Sequence, residues 1–308
     1  MIKIIAGTRN IQLANAVANL LKTKPIKTEI VRFANSETRI RILENITDEH
    51  VFVIQSGSNP TDISYMELFF TGDALRRSEA KKITAIIPYF GYARQNIQHR
   101  SGEDVSANVI VKFLETIGYN EVILFDIHDE ATLGIFSIPV VHLSALPILS
   151  KKVSEYLKEE AENVAIVSPD QSGVERARLF AQALFENKQV DIVVVEKKRD
   201  LDKIHQSKAI EVFGDVKNKI AVLVDDIATS GNTLINAADL VLQNGAKKVI
   251  AVFTHADFAP DTVQKLNDSK IDKIFTTDTI TLNQKQLSDK IEVVSVAEII
   301  ASSLKNNS

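Results

Sequence analysis

The sequence contains no cysteine, so disulfide cross-links and thiolate chemistry are excluded outright. No apolar stretch approaches the ~20 residues of a membrane span. Neither G-x-x-x-x-G-K-[ST] nor a strand-linked G-x-G-x-x-G occurs, which sets aside the P-loop and the dinucleotide fingerprint. A large charge excess is missing as well. The formal net charge of −4 argues against a general affinity for nucleic acid or anionic membranes, yet leaves room for a local basic patch at an anionic substrate site. The opening MIKIIAGTRN enters an apolar strand at once, without the long apolar core and small-residue cleavage site of a secretory signal, so a cytoplasmic protein is expected. No low-complexity tract or Gly/Ser linker divides the chain, and two closely packed halves are expected.

What is present is an alternation of apolar strands and helical periodicities over 308 residues, enough for two domains of ordinary size. The clearest stretch is Lys219 to Thr233, KIAVLVDDIATSGNT. The apolar run Ile220 to Val224 reads as a parallel strand covered on both faces. Asp225 and Asp226 fall where that strand should end, followed by Thr229, Ser230, Gly231, Asn232 and Thr233. Leu234, Ala238, Val241 and Leu242 then fall on one helical face, and Asn244-Gly245 supplies the stop. Unpaired amides at a helix N-terminus receive a phosphate, while carboxylates accept hydrogen bonds from sugar hydroxyls. The spacing therefore points to a sugar-phosphate cradle.

Other strand ends also carry chemistry. Ile2 to Ile5 reads as a strand, followed by a turn in which Asn10 is expected to cap a helix through about Leu21. Between the strands Thr28–Phe33 and Thr38–Ile42 lies Phe33-Ala34-Asn35-Ser36-Glu37, on its own an ordinary hairpin connection. Pro88-Tyr89-Phe90-Gly91-Tyr92-Ala93-Arg94-Gln95 follows a strand, where open α/β sheets place ligands; Arg94 suits phosphate or a base face, and Gln95 a base edge. The strand Glu121 to Asp126 opens on Asp126-Ile127-His128-Asp129, and His128 there suits a divalent ion or a phosphate oxygen. His50, His99, His142, His205 and His255 are read as structural. A second α/β unit begins near Leu143, where the Pro139–Pro147 connection leads into a helix from about Ile148. Its strand Val164–Val167 ends in Ser168-Pro169-Asp170-Gln171-Ser172-Gly173. A further strand, Asp191–Val195, opens on Glu196-Lys197-Lys198-Arg199, cations placed to meet anionic substrates.

The 220–245 segment resembles the ribose-phosphate loop of type I phosphoribosyltransferases and of ribose-phosphate pyrophosphokinases. Taken with the ordered motifs at 33–37, 87–95, 126–128, 167–170, 197–199 and 224 onward, the chain resembles the pyrophosphokinase family along nearly its whole length. That resemblance implies an α/β fold of two similar domains, 1–143 and 144–308, each a largely parallel sheet flanked by helices, with the last helix returning to the first domain. The active site is expected between the domains, at the carboxyl ends of their strands. The resemblance also implies Mg²⁺-dependent transfer of the β,γ-diphosphoryl group of ATP to the anomeric hydroxyl of ribose 5-phosphate. Phe33, Asn35 and Glu37, from a neighbouring subunit of a homo-oligomer (hexamer or dimer-based), and Arg94 and Gln95 would bind the nucleotide. His128 and Asp170 would hold Mg²⁺, and Lys197 and Arg199 would act on the group in transit. Asp225, Asp226 and Thr229 to Thr233 would bind ribose 5-phosphate.

This chain departs from the family pattern at Thr229, where an aspartate is usual, at Asn232, where a glycine is usual, and at Asn96, which follows Arg94-Gln95 in place of an aspartate. Residues 100–106 lack an Arg-x-Pro element, so neither phosphate activation nor ADP inhibition is implied. Two rival readings are a phosphoribosyltransferase and a non-catalytic regulatory homologue. The first needs neither the Asp-Ile-His motif nor the 87–95 loop; the second need not keep charges that serve only a transition state.

Overall fold

The computed structural model describes residues 2–186, 190–198 and 209–306. The chain divides into two compact units, the first made of Met1–Ser144, Thr279–Thr281 and Ser295–Ser308, the second of Ala145–Asp278 and Leu282–Val294.

In the first unit β1 (Lys3–Ala6) and α1 (Ile11–Leu20) lead into a hairpin of β2 (Thr28–Arg32) and β3 (Thr38–Ile42). Then come β4 (His50–Ile54), α2 (Thr61–Arg77), β5 (Lys82–Ile87), α3 (Ser106–Ile117), β6 (Glu121–Phe125) and β7 (Val140–Leu143). Five strands form a parallel sheet in the order β1-β4-β5-β6-β7, and β2 and β3 form a separate two-stranded antiparallel sheet. The strands are continuous apolar runs because both faces are covered. Val51, Val53, Ala85, Ile87, Val122 and Leu124 share a core with Leu68 of α2 and Leu114 of α3. The alternate residues Phe52, Ile54, Ile86, Ile123 and Phe125 project from the other face and are equally buried. The stretch read from sequence as the Pro139–Pro147 connection contains a strand, since Val140 to Leu143 pair in parallel with Val122 to Phe125.

The second unit comprises α4 (Leu146–Leu157), β8 (Val164–Ser168), α5 (Val174–Leu184), β9 (Val193–Lys198), β10 (Ala209–Phe213), β11 (Ile220–Ile227), α6 (Asn232–Gln243), β12 (Lys248–His255), α7 (Thr262–Asp268), β13 (Lys273–Thr277) and β14 (Ile291–Val294). They build a seven-stranded sheet in the order β10-β9-β8-β11-β12-β13-β14. β10 runs antiparallel at one edge and the other pairs are parallel. From β8 the chain crosses to β9 on one side, but β11 lies on the other side and leads outward through β12, β13 and β14. Strand order therefore reverses between β8 and β11. The crevice beyond their carboxyl ends is the switch point at which open α/β sheets bind ligands.

The face of α6 is close to the one its periodicity indicates: Leu234, Ala237, Ala238 and Val241 are buried against Leu223, Val249, Ala251 and Phe253, while Leu242 is only half-buried. The helix ends in a Schellman motif, with Ala246 N donating to Val241 O and Gly245 N to Leu242 O, both at 3.0 Å.

Two returns of the chain belong to the first unit. Asn10 makes no side-chain cap bond to α1; its Nδ2 donates instead to Thr279 O at 3.2 Å, and Ser56 Oγ donates to the same oxygen at 2.7 Å. The expected cap is thus diverted to a partner distant in sequence. The second return is α8 (Ala297–Asn306), which packs on α1. Among the described residues no helix is long and apolar enough to cross a membrane.

Candidate active site

β11 is longer than its apolar run suggests. It continues through Ile227, with Asp225 opposite Phe253 and Ile227 opposite His255 of β12, so the two aspartates are carried by the strand and do not follow it. Asp226 is 3% exposed and Asp225 half-buried. Asp226 N donates to Asp225 Oδ1 at 2.9 Å, and Arg176 of α5 brings its Nη1 within 3.4 Å of Asp226 Oδ1. Burial and the adjacent Asp226 charge push the Asp225 carboxyl well above the usual carboxylate range, while Arg176 opposes them. Two carboxylates taken out of water side by side hold a proton readily, and one cation between them limits the cost.

Beyond the strand, Ala228 N donates to His255 O, and Thr229 O accepts from Ala259 N, both at 3.0 Å, and from Thr262 Oγ1 at 2.5 Å. The loop is thereby pinned to the segment that opens α7. Gly231 caps α6 with φ of 73°, a left-handed conformation that costs glycine little. An added Cβ there would also come 3.3 Å from Leu266 Cδ2. Asn232 is the first residue of α6, so the position where the family usually has glycine is helical here and Gly231 makes the turn. The first-turn amides of α6 need acceptors from outside the helix.

Asp170 is exposed at the end of β8. Its Oδ1 accepts from Ser172 Oγ at 2.7 Å and Gly173 N at 3.0 Å, while Ser168 Oγ donates to its carbonyl at 2.6 Å. Gln171 Nε2 donates to Glu196 Oε1 of β9. β9 begins two residues later than its sequence suggests and extends through Lys198, where Lys197 is paired with Ile210 of β10. The side chain of Lys197 and the whole of Arg199 lie outside the described residues, as does His205. Asp170, the Lys197 backbone, and the Asp225–Thr233 segment thus stand at the carboxyl ends of the adjacent strands β9, β8 and β11.

In the first unit, Phe33, Asn35 and Glu37 are exposed together on the β2–β3 turn. Phe33 N donates to Glu37 O at 2.8 Å and Ser36 N to Phe33 O at 2.9 Å, with Ser36 left-handed at φ 71°, a three-residue hairpin connection. The Arg39 guanidinium lies 5.7 Å from the Phe33 ring centroid. Arg94 and Gln95 are exposed on the loop after β5, on a different sheet from that turn. This loop is held at Gly91, where Tyr65 Oη donates to the carbonyl at 3.0 Å and an added Cβ would overlap the Gly57 carbonyl oxygen. It is held again at Tyr92, whose hydroxyl donates to Asp62 Oδ1 and is pushed up to about 12 by that bond. Gln95 Oε1 accepts from Ser106 Oγ.

His128, half-buried, stands in the turn after β6. Asn96 Nδ2 donates to Asp129 Oδ2 at 2.6 Å, bringing the Arg94–Gln95 loop and the His128 turn together. His142, read from sequence as structural, lies on β7 with Nε2 3.1 Å from Ile127 N. Its only signal in the sequence is position, on a short strand that follows the turn.

Among the described residues no group of three or more His, Asp or Glu gathers as a metal cage. Mg²⁺ keeps several waters and takes substrate phosphate oxygens, so it asks few donors of the protein. Asp170, exposed and with one oxygen fixed by its own turn, is a fitting hard donor.

Comparison with known proteins is consistent along the chain. Residues 2–118 match the family described as the N-terminal domain of ribose phosphate pyrophosphokinase, and residues 150–307 match the phosphoribosyl synthetase-associated domain. A ribose-phosphate pyrophosphokinase of Fusobacterium nucleatum is 37% identical over 306 residues, covering 98% of this chain and 94% of the relative. One from Aquifex aeolicus is 38% identical over 306 residues, covering 99% and 95%. The crystal structure of phosphoribosylpyrophosphate synthetase from Mycobacterium smegmatis superposes with a TM-score of 0.92 at 30% identity, covering 100% of this chain and 99% of that one. With its motifs, fold and relatives in agreement over its length, the chain belongs to the ribose-phosphate pyrophosphokinase family.

Proposed function

We propose that this enzyme transfers the β,γ-diphosphoryl group of ATP to the anomeric hydroxyl of ribose 5-phosphate, giving phosphoribosyl pyrophosphate and AMP. The observation that carries this reading is the strand-held pair Asp225 and Asp226 beside the Gly231-capped helix N-terminus, at the switch point of a sheet. The carboxylates accept hydrogen bonds from the ribose hydroxyls, and the backbone and hydroxyls of Thr229 to Thr233 receive the 5-phosphate. The sugar oxygen attacks the β-phosphorus as the bond to the oxygen bridging the α-phosphate breaks, and AMP leaves.

Such a transfer asks for in-line positioning and for charge to meet charge. Lys197 and Arg199 supply the cations for the diphosphoryl group in transit. Arg94 and Gln95 hold the nucleotide, and Phe33 stacks on adenine with Asn35 and Glu37 beside it, contributed by a neighbouring subunit of a homo-oligomer. His128 and Asp170 would each offer a donor to Mg²⁺ beside substrate phosphates, and the ion, when bound, would neutralise charge on the transferred oxygens. The setting is cytoplasmic.

The test is one reaction of purified protein with Mg²⁺, ATP and ribose 5-phosphate, followed by phosphorus NMR. AMP appearing with a sugar diphosphate is the expected result. ADP with a sugar bisphosphate would overturn attack at the β-phosphorus, and binding of both substrates without turnover would favour a regulatory homologue.

A further inference from the structure

Three side chains from outside hold the turn Asp126 to Asp129 at the carboxyl end of β6. Ser144 Oγ donates to Asp126 Oδ1 at 2.6 Å, Asn96 Nδ2 donates to Asp129 Oδ2 at 2.6 Å, and His142 Nε2 lies 3.1 Å from Ile127 N. Asp126 has φ of 34°, a left-handed backbone that a residue with a Cβ keeps only where its surroundings over-determine it. Ile127 is 4% exposed, so its amide must find a partner inside the protein.

A backbone N–H only donates. His142 Nε2 must therefore accept, which makes the imidazole neutral and places its proton on Nδ1. That nitrogen stands 3.8 Å from Glu130 Oε1, a carboxylate that favours a proton on the side facing it. His142 is itself fixed in register opposite Leu124 of β6, so the ring and the turn it meets are carried by neighbouring strands of one sheet.

We propose that His142 is a positioning residue for the transfer reaction: by accepting the Ile127 amide hydrogen it fixes the peptide immediately before the Ile127-His128 step and so aims His128 at the metal-bearing phosphates. The inference rests on the reading of His128 as a metal-site residue. Without the acceptor, a buried amide loses its partner and the left-handed Asp126 loses one of the constraints that hold it.

Three variants and two spectroscopic measurements test this. In His142→Leu the acceptor is gone, and kcat should fall on the order of tenfold, the usual effect of one hydrogen bond at a positioned group. KM for ribose 5-phosphate should stay unchanged. His142→Gln, whose amide oxygen can take the place of Nε2, should recover most of the loss. Independently of turnover, nitrogen NMR of the wild-type protein should show His142 with Nδ1 protonated and Nε2 bare. Mn²⁺ added with ATP should broaden the His128 ring signals less in His142→Leu than in wild type. A proton on Nε2 in the wild type would overturn the proposal without recourse to any variant. Wild-type kcat in both His142 variants, alongside an inactive His128→Gln, would overturn the positioning role and leave the metal reading standing; wild-type kcat in His128→Gln would remove both.

Discussion

The guanidinium of Arg176 lies 3.4 Å from Asp226 Oδ1 and 3.9 Å from Asp225 Oδ1, so one cation on α5 serves both carboxylates of β11. Removing it leaves the two desolvated carboxyl groups without this cation and any remaining charge on them poorly compensated. Arg176→Leu should destabilise the folded protein by roughly 3 kcal/mol, the usual cost of breaking a buried pair from one side. Urea unfolding at pH 7 measures this, and an unchanged midpoint would refute the shared-cation account.

Asp225 itself should oppose folding at neutral pH. Its carboxyl is pushed up by burial and by Asp226, so the folded chain binds its proton more readily than the unfolded chain does. The stabilising contribution is then complete below the ordinary carboxylate value and is lost as pH rises through the raised folded-state value. Asp225→Asn should raise Tm at pH 7, with the gain shrinking as pH falls toward the unfolded value, and should also weaken ribose 5-phosphate binding. A Tm gain that is the same at every pH would contradict this assignment.

Gly231→Ala combines a positive φ with a Cβ 3.3 Å from Leu266. The strain should cost about 1–2 kcal/mol and tilt the start of α6. Calorimetry together with ribose 5-phosphate titration should show a lower Tm and weaker binding in parallel.

Asn96 lies 2.6 Å from the Asp129 carboxylate. Asn96→Asp would replace a donor with a second acceptor, so Tm should fall at pH 7 and recover in part at acid pH, where the two groups can share a proton. Asp129→Asn in the same chain should restore it. Thermal melts of the two variants at two pH values decide the matter.

Phe33 is 43% exposed, so Phe33→Ala should leave Tm nearly unchanged while raising KM for ATP. Lys197→Ala should lower kcat on the order of 10²-fold or more with little change in binding. If the hairpin serves a neighbouring subunit, mixing the two variants at ATP below the raised KM should give more activity than the average of the two. Activity that is merely the average of the two would remove the shared site.

Much of this was readable from residues alone. The strand–loop–helix from 220 to 245 declares itself because a buried parallel strand and an amphipathic helix have different periods, and the Asn244-Gly245 stop is local chemistry. The extension of β11 was not readable, since charge is taken as the end of a strand, whereas the ladder to Phe253 and His255 carries on through Asp225 and Ile227. β7 is not legible because four residues between prolines carry little pattern. Asn10 looked like a cap and bonds elsewhere, because a partner 269 residues away leaves no trace in local sequence. His142 was unreadable for the same reason: an acceptor for a distant amide has no motif.

The placement of Asp225 within the ladder makes that end of the site a fixed gauge. A carboxylate on a loop can follow a ligand; one whose backbone is bonded across to Phe253 cannot move without breaking a central sheet. If this pair holds the sugar as proposed, adaptation to a different sugar has to come from the Thr229–Thr233 side. Directed changes of acceptor should accumulate in that loop, while Asp225 tolerates almost none.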